Sequence, residues 1–110
     1  MKRLGNLAED LAVTYLAAFG MTILGRNIRT PEGEIDILAR DGQDIVVVEV
    51  KARRSSSFGS AVSAVDARKR QRLRAAAANL AQFAPVHAGN WRFDVVTIER
   101  GYVRHYQGAF

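Results

Sequence analysis

The chain has 110 residues, a length that fits one domain with a modest core, so we expect residues 1–110 to form a single domain. Cysteine is absent, which excludes a disulfide framework, a thiolate nucleophile and a cysteine-based zinc site. The net charge of +5 favours a polyanionic partner. No apolar stretch approaches the roughly 20 residues of a membrane span, and Glu9 and Asp10 interrupt the apolar core that a signal peptide needs, so we expect a cytoplasmic protein without membrane association.

Hydrophobic periodicity and turn residues predict seven elements. In chain order they are a helix over 4–19, strands over 21–29, 34–40 and 44–51, a helix over 61–84, and strands over 92–99 and 102–106. The strand–helix–strand crossover implies a parallel pair in a mixed sheet, and the last strand is expected at an edge. The predicted fold class is α/β, with a small mixed sheet flanked by helices.

Apolar residues at helical spacing predict which face of each helix is buried. In the first helix these are Leu4, Leu7, Leu11, Tyr15 and Phe19. In the second they are Val62, Val65, Leu73, Ala76, Leu80 and Phe83, and Lys69 occupies a position within that stripe. A lysine there either reaches the surface or points inward to an acidic cluster.

The third strand ends in Glu49-Val50-Lys51 after an apolar run. Because alternate residues of a strand share a face, Glu49 and Lys51 project together, roughly 6.6 Å apart along the backbone. The carboxylate can hold a divalent cation, and the ammonium can steady developing negative charge or orient an attacking water.

The hairpin decides whether Asp36 joins this pair. If Gly42 and Gln43 form the turn, Asp36 lies opposite Glu49. If the turn is Asp41-Gly42, Glu34 lies opposite Glu49 instead, but the parity is unchanged and the charged groups stay on one face. The simpler explanation is a solvated pair at a strand end, worth under about 1 kcal/mol. Clustered carboxylates repel one another, however, and a bound cation would offset that repulsion.

Two further groups of charged residues belong to this hypothesis. Glu9 lies at the margin of the first helix's apolar stripe and could face the site if that helix covers the hairpin. Basic residues are concentrated after the third strand and on the second helix, where either a solvated helix face or phosphate contact would account for them. We interpret them as nucleic-acid contacts: Arg53, Arg54, Arg68, Lys69, Arg70, Arg72 and Arg74.

Several motifs occur in an order that is known from one family. They are Ala8-Glu9-Asp10-Leu11-Ala12, Arg26-Asn27, Gly33-Glu34-Ile35-Asp36, Val48-Glu49-Val50-Lys51-Ala52-Arg53, Phe58-Gly59, Lys69 and Arg92-Phe93-Asp94-Val95-Val96. With these motifs the chain resembles the YraN-like family of uncharacterised bacterial proteins. That family is similar to restriction-endonuclease-like nucleases and to archaeal-type Holliday junction resolvases, and the resemblance covers nearly the whole chain.

The resemblance implies a restriction-endonuclease-like core of order α-β-β-β-α-β-β. It also implies that Asp36 and Glu49 bind Mg²⁺ or Mn²⁺, that Glu9 contributes from the first helix, and that Lys51 assists the attacking water. Ile35 stands where the wider superfamily has proline, and Ala8 where a glycine is expected, but neither change removes a catalytic group.

The expected function is therefore a metal-dependent endonuclease. No element for reading base edges is evident, which favours selection of branched or flapped DNA by its shape, with a homodimer cutting paired strands. Two alternatives remain open. One is a non-catalytic nucleic-acid-binding module that keeps the fold, and the other is an assembly partner with an incidental charge cluster.

Overall fold

The computed structural model describes residues 4–53, 65–83 and 89–110. Within them lie α1 (Leu4–Phe19), β1 (Thr22–Thr30), β2 (Gly33–Asp41), β3 (Asp44–Arg53), α2 (Ala67–Leu80), β4 (Asn90–Glu99) and β5 (Tyr102–Tyr106). This order of elements confirms the α/β class and is consistent with a restriction-endonuclease-like core. None of the helices in the described ranges is both long and apolar enough to cross a membrane.

The five strands form one mixed sheet in the order β1-β2-β3-β4-β5. Only the central pair β3 and β4 is parallel, as the crossover predicts, and the other neighbours are antiparallel. The β2–β3 hairpin closes through Gly42 and Gln43, with Asp41 paired to Asp44. Gly42 has a φ of 62°, a left-handed conformation that glycine adopts without strain. Of the two registers considered, the structure adopts the first.

Alternation along the strands divides the core between the two sheet faces. On one face, α1 packs through Ala8, Ala12 and Leu16 onto β-branched residues such as Val46, Val48 and Val96. On the other, α2 packs through Leu73, Ala76 and Ala77 onto Ile45, Val47 and Val95. The sheet is therefore covered on both sides, which suits the nearly continuous apolar runs of β3 and β4.

The predicted stripe of α1 is wrong in its orientation. Leu11 is 47% exposed and Leu7 and Phe19 are exposed too, whereas Ala12 and Leu16 are completely buried. The side chain of Leu4 lies outside the described part. Alanine on the buried face lets the helix backbone approach the sheet closely, so the larger leucines a residue earlier turn outward. Because the periodicity argument followed the larger leucines, it placed the buried face of α1 about one residue away from its observed position.

Helix α2 is shorter than the predicted range 61–84, of which 61–64 and 84 lie outside the described residues. Asp66, in an extended conformation, is the N-cap and its carboxylate accepts a hydrogen bond of 2.9 Å from the Lys69 amide. Val65 is buried but precedes the helix. After the C-cap Ala81 the chain leaves the helix, and Phe83 is 60% exposed rather than buried. Val62 also lies outside the described residues.

Candidate functional site

The charged end of the β2–β3 hairpin places Asp36 beside Glu49. Backbone pairing between the two strands reaches Ile37 and Val48, one position before the acidic residues. There the Asp36 Oδ2 accepts a hydrogen bond of 2.9 Å from the Val50 amide. The side chain thus binds the neighbouring strand where the backbone ladder ends, and this contact fixes its position.

Glu49 is a buried carboxylate held by two lysines. Only 1% of the residue is exposed. Its Oε2 lies 2.6 Å from Lys69 Nζ on α2 and 3.6 Å from Lys51 Nζ two residues along the same strand. A buried charge needs such partners, because an isolated one costs several kcal/mol. The structure therefore brings Glu49 and Lys51 together, and Lys69 takes the inward of its two predicted orientations.

The surroundings of Asp36 strongly raise its pKa. Burial, a side-chain hydrogen bond with Glu49 and the Glu49 charge raise the pKa of Asp36 from its ordinary 3.8 to about 8, and the Glu9 charge adds to the rise. The Val50 amide opposes the rise. Burial alone would lower the pKa of Lys69, but its hydrogen bond to Glu49 and the nearby carboxylate charges outweigh burial and raise it. Near neutral pH the metal-free site therefore holds a proton on Asp36 and a positive charge on Lys69.

Glu9 lies near this pair without joining it. Its Oε1 is 3.7 Å from Arg26 Nη2 on β1, which also contacts Asp10 at 2.8 Å. Among the described residues, no three carboxylates or histidines are grouped closely enough to hold a metal ion. Two buried oxygens, Glu9 Oε1 and Glu49 Oε1, nevertheless lack a hydrogen-bond partner within that part of the chain. Carboxylate oxygens are the ligands that Mg²⁺ and Mn²⁺ prefer, so Glu49 Oε1 fits such an ion by chemistry, whereas Glu9 Oε1 also lies within ion-pair distance of Arg26.

A cavity of about 380 Å³ opens beside Asp36. It lies between the start of β2 and helix α2, and its lining combines carboxylates with cationic groups. The lining residues are Glu32, Gly33, Glu34, Asp36, Lys69, Arg72 and Leu73. A cavity that is open to solvent and flanked by Lys69 and Arg72 can admit a phosphate group next to the acidic pair.

The basic residues of α2 divide into three groups. Arg68 and Arg72 are exposed and so remain free to contact phosphate, while Lys69 is paired with Glu49. Arg70 donates from Nε to the Val65 carbonyl at 2.7 Å and covers the Phe110 ring, and Arg74 lies over the rings of Phe93 and Phe110. The Arg53 side chain and Arg54 lie outside the described residues.

Comparison with known proteins gives the chain a family. The family model described as "Uncharacterised protein family UPF0102" matches residues 8–98. A UPF0102 protein of Frankia alni is 46% identical over 112 residues, covering 97% of this chain and 93% of that protein. One from Shewanella amazonensis is 43% identical, covering 96% and 97%, and one from Syntrophotalea carbinolica is 47% identical, covering 97% and 90%.

The chain belongs to the UPF0102 family. This confirms the resemblance carried by the motifs, although the family description names no activity. The matched range begins at residue 8 and so includes Glu9, Asp36, Glu49, Lys51 and Lys69.

This UPF0102 chain also contains a buried polar network that the sequence arguments missed. Asp94 of β4 is fully buried, and it accepts two hydrogen bonds of 2.9 Å from Arg92 and one of 3.0 Å from the Gly108 amide. His105 Nε2 lies 2.7 Å from the same carboxylate, and Tyr15 lies 3.3 Å from His105 Nδ1. Burial alone would raise the pKa of Asp94, but the bonds from His105 and Arg92 outweigh burial and lower it.

Asp94 therefore acts as a structural anchor. Arg92 also contacts Asp41 at 3.0 Å and Asp44 at 3.5 Å, so the network joins β4 to the hairpin turn and to β5. The signal was present in the sequence, because a single aspartate inside the apolar run Phe93-Asp94-Val95-Val96 must be paired when the strand is buried.

Proposed function

We propose that this protein is a metal-dependent endonuclease that hydrolyses phosphodiester bonds in nucleic acid. The observation that carries the proposal is the pairing of the half-buried Asp36 with the fully buried Glu49, with Lys51 3.6 Å from Glu49, beside a cavity that Lys69 and Arg72 flank. An assembly role does not require a half-buried carboxyl beside a fully buried one, since the pair destabilises the fold unless a proton or cation lies between them. Catalysis does require such a pair.

Each residue of the site has a separate role in the proposed reaction. Asp36 and Glu49 would hold Mg²⁺ or Mn²⁺, and Glu9 would add an oxygen ligand from α1. Such an ion supplies a more acidic bound water and neutralises charge at the scissile phosphate. Lys51 orients the attacking water and stabilises the charge that develops on the phosphate during in-line displacement. Arg68 and Arg72 hold flanking phosphates without selecting a sequence.

Lys69 has a second part in this scheme. In the metal-free protein its ammonium neutralises Glu49 at 2.6 Å. If Glu49 held a cation, the two positive charges would repel, and Lys69, which already lines the adjoining cavity, would be available to a phosphate oxygen there. The same lysine thus supports the fold without metal and the substrate with it.

The proposed substrate is branched or flapped DNA, which the protein would select by shape. We propose that a homodimer cleaves it in the cytoplasm. Support comes from the exposed basic positions of α2, Arg68 and Arg72, which can hold phosphates without reading base edges.

A non-catalytic nucleic-acid-binding module is the second candidate. The observation in its favour is the Lys69–Glu49 contact, which already satisfies the buried carboxylate without metal. The deciding experiment incubates the protein with flap, four-way-junction, duplex and single-stranded DNA and RNA, with Mn²⁺, Mg²⁺ or EDTA. Metal-dependent cleavage that Asp36→Asn abolishes supports the nuclease. Binding without cleavage on every substrate and metal would favour the module.

A further inference from the structure

A second cavity lies on the α2 face of the sheet, apart from the acidic pair. Its volume is about 290 Å³, and its lining is apolar except for one guanidinium. The lining residues are Arg74, Ala77, Ala78, Ala81, Trp91 and Phe93. Alanines on this side of α2 are too small to cover the indole of Trp91, which stays half-buried.

The guanidinium in this cavity is held by rings and not by a carboxylate. Arg74 lies 5.8 Å from the Phe93 ring centroid and 5.4 Å from that of Phe110, and these two rings stack at 5.2 Å. It is exposed, and in the described part of the chain it has no acidic partner. A positive charge that no carboxylate neutralises, next to an accessible indole, favours a flat ligand that carries negative charge.

The position of the cavity relates it to the acidic pair. Trp91 pairs with Ile45 on β3, and Glu49 lies four residues further along the same strand on the same face. At about 3.3 Å per residue the separation is roughly 13 Å. Ile45 and Val47 are buried beneath α2 between these points, so a strand that reaches both sites must pass over α2 and needs more than the roughly four stacked nucleotides that span 13 Å.

We propose that Trp91 and Arg74 form a stacking platform for an unpaired base of the nucleic acid strand whose phosphate lies at Asp36 and Glu49. Bases are flat, aromatic and joined to phosphates, so they match an indole beside an uncompensated guanidinium. A base inside a duplex is already stacked and cannot use the platform. The proposal rests on the proposed function and specifies its substrate class: strands with a single-stranded segment next to the cleaved bond.

Trp91 is the only tryptophan of the chain, so its fluorescence reports on the platform directly. The titration uses full-length Asp36→Asn protein in EDTA, which removes cleavage. The probes are a deoxythymidine oligomer, an abasic oligomer with the same number of phosphates, and a duplex of equal length. We expect the thymidine oligomer to quench Trp91, and the abasic oligomer and the duplex to leave it largely unchanged at equal occupancy.

Variants then separate stacking from charge, with affinity measured by anisotropy of labelled oligomers. Trp91→Ser should weaken binding of the thymidine oligomer at least about fivefold, and Trp91→Phe should retain most of the affinity. Arg74→Gln changes an exposed residue and should weaken that binding more than Arg100→Gln, the same charge change in the β4–β5 turn. Equal affinity for thymidine and abasic oligomers in every variant would overturn the platform, as would quenching that depends on protein concentration alone and so indicates a second copy.

The platform and the nuclease can fail separately. Quenching by single strands in a wild-type protein that cleaves nothing would leave the platform in place and overturn the nuclease. Metal-dependent cleavage without any change in Trp91 fluorescence would support the nuclease and overturn the platform.

Discussion

At the scale of single residues, the protonation of Asp36 controls stability and would control metal binding in the proposed nuclease. Its pKa is raised to about 8 in the folded protein, above the ordinary 3.8 of an unfolded chain. Between these values the folded state binds a proton that the unfolded state has lost, so stability falls as pH rises through this window. The slope for one proton is about 1.4 kcal/mol per pH unit.

Replacing Asp36 by asparagine should therefore flatten this part of the pH profile. Urea unfolding in EDTA, repeated from about pH 4 to about pH 8, should show wild-type stability falling and Asp36→Asn stability nearly constant. Glu34→Gln, an exposed acid-to-amide change on the same strand, is the control and should follow wild type. Parallel profiles for wild type and Asp36→Asn would mean that Asp36 titrates normally.

Divalent cations should raise the melting temperature by a few degrees, because an ion bound only by the folded state stabilises it by mass action. The gain should grow as pH rises towards 8, since Asp36 must lose its proton to bind. Thermal melts with millimolar Mn²⁺, Mg²⁺ or EDTA measure it. Asp36→Asn should lose the gain, and an unresponsive wild type would argue against a metal site.

The two lysines at Glu49 should differ in what they contribute. Lys51→Ala should lower cleavage by orders of magnitude and leave DNA affinity nearly unchanged, because its charge is used mainly in the transition state. Lys69→Ala should lower the stability of the metal-free protein, because it removes the ammonium 2.6 Å from Glu49. Added Mn²⁺ should restore much of that lost stability. Cleavage time courses, gel shifts and melts on both variants provide the comparison.

At the scale of elements, helix α1 gives a direct test of the core. Leu16→Ala should cost about 2–5 kcal/mol because Leu16 is completely buried, and Leu11→Ala should cost under about 0.5 kcal/mol because Leu11 is half exposed. Chemical denaturation measures both. A larger loss for Leu11 would restore the orientation that the leucine spacing predicts.

Helix α2 carries two exposed arginines among the predicted nucleic-acid contacts, Arg68 and Arg72. Arg68→Gln and Arg72→Gln should each reduce the salt dependence of DNA affinity by about one phosphate contact, a slope change near 0.7–0.9. Arg100→Gln is the matched control away from α2. Gel-shift titrations at several salt concentrations give the slopes, and unchanged slopes would remove α2 from the interface.

At the scale of the whole molecule, the order of elements and the β2–β3 hairpin could be predicted because they depend on local signals, and the parallel β3–β4 pair followed from the crossover rule. Gly42 belongs to both of the turns considered, and parity along β2 and β3 keeps Asp36 on the face of Glu49 in either case. The structure selects the Gly42-Gln43 turn, which sets the two residues opposite each other. Burial within α1, the start of α2 and the uses of Arg70 and Arg74 could not be predicted, since they depend on contacts between distant segments. The pairing of Lys69 with Glu49 was one of two stated options, and only tertiary packing selects between them.

The chain connectivity around β3 has a consequence for folding kinetics. The β2–β3 hairpin closes through a two-residue turn, but β3 meets β4 only after the chain has crossed over through α2, as the pairing of Asp44 with Asn90 illustrates. Local contacts form before distant ones, so Asp36 and Glu49 approach each other before Lys69 arrives. Electrostatic repulsion between Asp36 and Glu49 should then raise the folding barrier when both carboxyls are ionised. Stopped-flow refolding of wild type should slow as pH rises from about 4 towards 8, the window in which folding takes up a proton on Asp36, and should stay nearly constant in Asp36→Asn.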